Sequence, residues 1–406
     1  MDNNTQSIVR INGGVTAARG FMAGGYQAGI KTSGKSDLGI LFSEAACTAA
    51  GTFTQNTLRA ACVDWNSNLL PSDSIHAVCC NSGNANACTG EQGVLDVRST
   101  AEETALLLNT SPDSILVSST GCIGEFLPMQ KLKSGLVPLA SSLSTQGGNS
   151  FAKAIMTTDT IEKESAVSVR FESGTAIIGG CAKGSGMICP NMATMLCFIS
   201  TDAAIKASTL QAITSRVVDF TFNNLTVDGD TSTNDMVLVL SNGLSAVQVE
   251  SASDISLFQD ALFEVCNSLC AKIAEDGEGA TKRIEVNVTG GKNDQDCKLA
   301  AKAIANSNLV KTAIFGNDPN WGRILCAIGY SGAQFSSENL RVSLCGMPVC
   351  HNLRPVAFPH EQMLKRLKEK IVIIDVDLGT GGQTCAVAHT CDLTYDYVRI
   401  NAEYHT

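Results

Sequence analysis

"KGSGMICPNMATMLCFIST", residues 183–201, joins a glycine-rich, proline-broken loop to an apolar run that reads as a buried strand. At the junction stands a hydroxyl residue, Thr194, between Ala193 and Met195. Two readings are open. A threonine that opens an apolar strand is a packed β-branched residue. The same threonine behind a flexible glycine loop also suits self-cleavage. Its hydroxyl attacks the preceding carbonyl, an N-to-O acyl shift gives an ester, and hydrolysis frees an N-terminal threonine. The α-amine of that product, with a pKa of about 7.7–8.0, serves as its own base, so no histidine is needed.

Working outward, "EKESAVSVRF" reads as a strand from about Ser165 that pairs with "GTAIIGG" across the turn at Glu172 to Gly174, a hairpin feeding the loop. Beyond Thr194, residues 208–225 read as a helix with a serine near its start. In residues 253–276, Leu257, Phe258, Leu262, Val265, Cys266, Leu269 and Ile273 recur at helical spacing, with Ser253 as the N-cap. "RIEVNVTGG" (283–291) alternates as a half-buried strand, and "LRVSLCG" (340–346) and "IVIIDVDLG" (371–379) are strands around a short basic helix, "EQMLKRLKEK". The alternation predicts a mixed α/β fold. The sharpest break in composition is the Gly/Pro-rich loop, and strands on both sides make it a loop inside one sandwich rather than a linker.

The 406 residues are 44% hydrophobic and 17% charged, with no unbroken apolar run of about 18 residues, which argues against a membrane-spanning helix. A net charge of -10 without Lys/Arg clusters repels a phosphate backbone, so nucleic acid is not an expected partner. "MDNNTQSIVRINGG" carries neither a secretory nor a transit pattern and points to the cytoplasm. The 17 cysteines are scattered without a C-x-x-C pair and read as packing thiols in a reducing compartment, not a zinc site.

"GTGGQT" (379–384) fails dinucleotide-loop spacing, and "DGDTSTND" (228–235) has Val239 where a calcium loop needs its bidentate Glu. The five histidines are far apart and read as structural or surface residues; a triad assembled in space is left open. "SSTGCIG" (118–124) offers a hydroxyl on Thr120 and the N–H of Gly121 as oxyanion donors, beside the simpler reading of Gly121 as a strand-to-turn glycine.

The chain resembles the ornithine acetyltransferase family, bifunctional glutamate N-acetyltransferases of arginine biosynthesis, from end to end. The strings that carry the resemblance are "NSGNANACTG" (81–90), "SSTGCIG", "MTTDT" (156–160), "KGSGMICPNMATML" (183–196), "DGEGATK" (276–282), "GNDPNWGR" (316–323) and "CDLTYDYVRINAEYHT" (391–406). The resemblance implies a layered α/β sandwich of N-terminal-nucleophile type, with sheets between helical layers. It implies cleavage between Ala193 and Thr194 into an α chain, 1–193, and a β chain, 194–406, held together as an α2β2 heterotetramer. Thr194 is then the nucleophile, Thr120 and Gly121 form the oxyanion hole, and Thr157, Lys183, Thr194, Glu278, Asn401 and Thr406 line the substrate site.

The implied reaction is ping-pong: Thr194 takes acetyl from N2-acetylornithine, ornithine leaves, and glutamate accepts the acetyl group. No metal or cofactor is implied. Some members also use acetyl-CoA as donor, and this sequence does not separate the two kinds. A departure stands before the C-terminal string, where many members carry Trp and this chain has His389 and Thr390. The alternatives are an N-terminal-threonine aminopeptidase or amidohydrolase, in which water resolves the acyl-enzyme, and a binding protein that never cleaves.

Overall fold

The computed structural model describes residues 7–189 and 195–403; the junction of Ala193 and Thr194, and Thr406, lie outside the described residues. The chain builds a nine-stranded sheet from β1 (Ile8–Ile11), β2 (Phe21–Tyr26), β3 (Leu38–Phe53), β4 (Ser72–Asn84), β5 (Ile115–Cys122), β6 (Lys163–Phe171), β7 (Gly174–Lys183), β8 (Leu196–Thr201) and β9 (Met236–Ser241). The strand order is β1-β6-β7-β8-β9-β3-β4-β5, with β2 also paired to β3.

Every residue of β8 and β9 is buried. Because successive side chains point to opposite faces, Leu196, Phe198, Leu238 and Leu240 enter one core while Cys197, Ile199, Val237 and Val239 enter another. Helices cover both faces. Ala61–Leu69, Gly90–Leu108 and Met129–Ser141 pack into the first core; Ala207–Phe220 and Ala252–Glu275 pack into the second. This is the mixed α/β fold read from the alternation of elements, in the layered form that the family resemblance implies.

The β6–β7 hairpin turns between Phe171 and Gly174 as predicted. β7 and β8 are antiparallel neighbours with Lys183 opposite Leu196, and β8 runs parallel to β9 with Leu196 beside Met236. The glycine-rich loop therefore leaves and re-enters the same sheet on adjacent strands, a loop inside the sandwich.

A second, six-stranded sheet contains β10 (Arg283–Gly291), β11 (Arg341–Leu344), β12 (Met347–His351), β13 (Arg354–Pro355), β14 (Ile371–Asp377) and β15 (Thr384–Cys391), in the order β13-β12-β11-β14-β10-β15. It has its own core, where Val286, Val288, Ile374 and Val376 meet the helices Asp294–Asn306, Trp321–Tyr330 and His360–Leu367. Cys391, at the end of β15, reaches back into the core of the large sheet.

Several boundaries differ from the sequence reading, two of them for reasons visible in side-chain hydrogen bonds. The helix expected over 208–225 stops at Phe220, where the Thr221 hydroxyl bonds back to Val217 O at 2.7 Å and the chain continues as a 3₁₀ turn, Phe222–Asn224. The long helix is capped by Ser251, not Ser253: Ser251 Oγ accepts the Asp254 N–H at 3.1 Å.

Candidate active site

A partly open cleft gathers Thr120, Gly121, Thr157, Lys183, Glu278 and Asn401 from five separate segments of chain. These are the residues implied by the sequence resemblance, apart from Thr194 and Thr406, which lie outside the described residues together with Ala193.

Thr120 and Gly121 stand at the end of β5, parallel to β4, with Ser82 opposite Thr120 and Gly83 opposite Gly121. Gly121 has φ +135°, and a Cβ there would lie 2.3 Å from Gly83 C and 2.5 Å from Asn84 N. Glycine is required by the approach of a neighbouring backbone, which is a stronger demand than an ordinary turn makes. Asparagine side chains fix this end of the sheet. Ser119 Oγ donates to Asn81 Oδ1 at 2.7 Å, and Asn234 Nδ2 donates to Ala85 O at 2.6 Å and Ser119 O at 2.8 Å. Asn234 also lines the cleft, and sequence reasoning missed it because its partners are far away in the chain.

Lys183 ends β7 almost fully buried, and its Nζ donates to Thr157 Oγ1 at 3.2 Å. Glu278 is equally enclosed, in the turn after the helix Ala252–Glu275, and Asn401 Nδ2 donates to its Oε2 at 2.9 Å. The carboxylate lies directly over Gly186, where a Cβ would come within 2.2 Å of Oε2. Asp228, the first acid of the rejected calcium motif, is used differently: it accepts the N–H groups of Met187 at 2.6 Å and Ile188 at 2.8 Å, and the Tyr397 hydroxyl at 3.2 Å. It thereby ties the glycine loop to the C-terminal helix Tyr395–Glu403.

Burial sets the protonation of several groups around the cleft. The Asp235 carboxyl, at the start of β9, is pushed well above the usual carboxylate range by burial, with the Lys183 charge opposing. Lys31 is lowered to about 8 by burial, with Asp37 opposing. Burial likewise pushes the thiols of Cys181 and Cys197, on the strands flanking the glycine loop, well above their ordinary value. They are held protonated and serve as packing groups.

None of the described histidines lines the cleft. His389 is buried with Nε2 2.8 Å from Asn267 Oδ1, and burial, with the Arg283 charge behind it, lowers its pKa to about 3. Its position before the C-terminal string is one of packing.

A hydroxyl, a constrained glycine, an ammonium and a carboxylate around one small opening suit a dipolar small molecule, within a layered α/β protein whose chain re-enters its sheet at Leu196. The sequence pattern of the ArgJ family matches residues 22–406. The arginine biosynthesis bifunctional protein ArgJ of a Synechococcus strain is 47% identical over 409 residues, covering 98% of each chain. That of Symbiobacterium thermophilum is 47% identical over 398 residues, covering 97% of this chain and 99% of the relative. Among solved structures, the ornithine acetyltransferase of Mycobacterium tuberculosis, complexed with ornithine, is 41% identical over 46% of this chain and 100% of that one, with a TM-score of 0.43. The chain belongs to the ArgJ family.

Proposed function

We propose that this chain transfers the acetyl group of N2-acetylornithine to glutamate, giving ornithine and N-acetylglutamate, by a ping-pong reaction through an acetyl ester on Thr194. The observation that carries the reading is the meeting of Lys183 and Glu278 with Thr120 and Gly121 in one cleft, on a strand whose Lys183 pairs in register with Leu196, two residues after Thr194.

In this reading the chain cuts itself between Ala193 and Thr194, and the halves 1–193 and 194–406 stay together because β7 and β8 remain paired. The Thr194 hydroxyl gives its proton to the freed α-amine as it attacks the acetyl carbon. The Thr120 hydroxyl and the Gly121 N–H stabilise the oxyanion. The α-ammonium then returns the proton to the departing amine of ornithine, and the α-amine of glutamate resolves the ester by the same steps in reverse. Lys183 engages a substrate carboxylate and Glu278 a substrate ammonium, while Thr157, Asn401 and Thr406 complete the lining.

The mechanism calls for no metal or cofactor. Acetyl-CoA is a second donor for the same ester, and the assembly is an α2β2 heterotetramer working in the cytoplasm. A generic hydrolase needs the nucleophile and the oxyanion donors but not the further set of Thr157, Lys183, Glu278, Asn401 and Thr406, and the relatives are named for biosynthesis.

A denaturing gel with intact mass analysis tests the cut: two fragments ending and starting at Ala193 and Thr194 are expected, and a single full-length chain in active protein overturns the reading. Thr194→Ala abolishes both cleavage and acetyl exchange. Full exchange in that variant rejects the nucleophile, and replacing acetylornithine with acetyl-CoA in the same assay identifies the donors.

A further inference from the structure

Three segments that carry cleft residues converge on one buried ammonium outside the cleft. Lys163, on β6, is fully enclosed, as is Asp159. Its Nζ donates to Asp159 Oδ1 at 2.6 Å, to Asp276 Oδ2 at 2.6 Å and to Ile161 O at 3.3 Å. Each carboxylate then grips a different stretch of backbone. Asp159 accepts the N–H of Gly184 at 2.7 Å and of Thr157 at 3.0 Å. Asp276 accepts the N–H of Thr160 at 3.0 Å and of Ile161 at 3.4 Å, together with the Thr160 hydroxyl. The Asp276 carbonyl accepts the Ser185 hydroxyl at 2.6 Å, and Ser185 O accepts the Glu278 N–H at 3.0 Å.

The spacing in sequence gives the network its meaning. Thr157 is two residues before Asp159, Lys183 adjoins Gly184, and Glu278 is two residues after Asp276. Every cleft residue on these loops is thus within two positions of a bond to the network. Two carboxylates and one ammonium leave one negative charge over, and the nearby second cation is Lys183 itself. Burial alone would raise the Asp159 carboxyl, but Lys163 and Lys183 together hold it below the ordinary carboxylate value. A buried ion cluster of this kind gives little net stability compared with apolar packing, because desolvation offsets the attraction. What it does provide is a fixed geometry, since each member has only one arrangement that satisfies all its partners.

We propose that Lys163, with Asp159 and Asp276, is the positioning centre of the cleft, fixing the separation of Lys183 and Glu278 and hence the selectivity for amino acids bearing both a carboxylate and an ammonium. Resting on the acetyl-transfer reading for its substrates, the inference assigns function to three residues that touch no substrate.

The test uses Asp159→Asn, which keeps the shape and removes one charge, and Thr160→Val, a milder change that removes one donor to Asp276 at an exposed position. The fraction of cleaved chain is measured first, and kinetics are expressed per cleaved enzyme. Asp159→Asn is expected to raise KM for N2-acetylornithine by about tenfold or more with kcat within about threefold, and Thr160→Val to raise KM by about twofold to fivefold. Amide hydrogen exchange is read on the same proteins: protection of 157–161, 184–186 and 276–278 is expected to fall together in Asp159→Asn.

Loss confined to the Asp159 partners Thr157 and Gly184, with KM unchanged, overturns the proposal, as does a fall in kcat alone. If Asp159→Asn does not fold, an unchanged KM and unchanged exchange in Thr160→Val are sufficient to reject it. Coupled exchange in a protein that does not transfer acetyl groups rejects the substrate reading and leaves the positioning centre in place.

Discussion

Gly186 lies beneath Glu278 so closely that a methyl group at Gly186 would sit 2.2 Å from Oε2 and 2.3 Å from Cδ of the carboxylate. The atoms met are the far end of a flexible side chain, so Gly186→Ala is expected to fold with a stability change within about 1 kcal/mol while the carboxylate is driven off its position and away from Asn401. On the proposed roles, KM for N2-acetylornithine rises by about tenfold to a hundredfold. Steady-state kinetics alongside thermal unfolding check this; an unchanged KM would remove Glu278 from substrate recognition.

Thr120 and Gly121 are neighbours with opposite sensitivities. At Gly121 a Cβ meets backbone on Gly83 and Asn84 at φ +135°, and neither strand can yield without breaking β4–β5 pairing. Gly121→Ala is expected to cost about 3 kcal/mol or more, combining backbone strain with overpacking. Thr120→Ala removes only a hydroxyl and leaves the fold intact, but it is expected to slow acetyl transfer by about 10²–10³. Urea unfolding and kcat on the two variants separate them, and a Thr120→Ala enzyme with full kcat would exclude its hydroxyl from the oxyanion site.

Much of this was legible in the sequence, for local reasons. The turn at Glu172 to Gly174 marked the β6–β7 hairpin and the apolar run 196–201 marked β8, because both are short-range signals. What the sequence concealed depends on partners far away. Lys163 stands just before the strand read from about Ser165, and its partner Asp276 is 113 residues on. The demand for glycine at 121 comes from Gly83 on another strand. Ser251 and Ser253 are both acceptable caps, and only the geometry of Asp254 selects between them. The six-stranded sheet has no linker-like composition before it, so periodicity revealed β10, β11 and β14 but neither the other three strands nor that the six form a separate sheet.

His389 makes stability sensitive to acid. Its folded pKa is lowered from 6.5 to about 3, so the neutral ring is the form the fold accepts. As pH falls below 6.5 the unfolded chain binds a proton that the folded chain refuses, and stability is lost progressively until about pH 3. Between pH 7 and pH 5 this one group is expected to cost about 2 kcal/mol. His389→Gln keeps a donor for Asn267 and cannot titrate, so its urea midpoint should change less over that range than the wild-type midpoint. Parallel pH profiles would show that the ring is charged in the fold after all.

The C-terminal helix Tyr395–Glu403 has no buried side chain, so it contributes to the cleft without contributing to a core. It is held by point contacts: Asn401 on Glu278, the Tyr397 hydroxyl on Asp228, the Thr394 hydroxyl on Gly279 O at 2.7 Å, and an edge contact between Tyr395 and Phe315. Deleting residues 395–406 is therefore expected to leave the melting temperature within a few degrees and self-cleavage unimpaired, while kcat/KM falls by about a hundredfold or more as Asn401 and Thr406 are lost together. Tyr397→Phe removes only the tie to Asp228 and is expected to raise KM by about threefold with kcat unchanged. A truncated protein with full activity would place the substrate site elsewhere. One that cannot fold would mean that these few polar contacts hold more of the structure than their exposure implies.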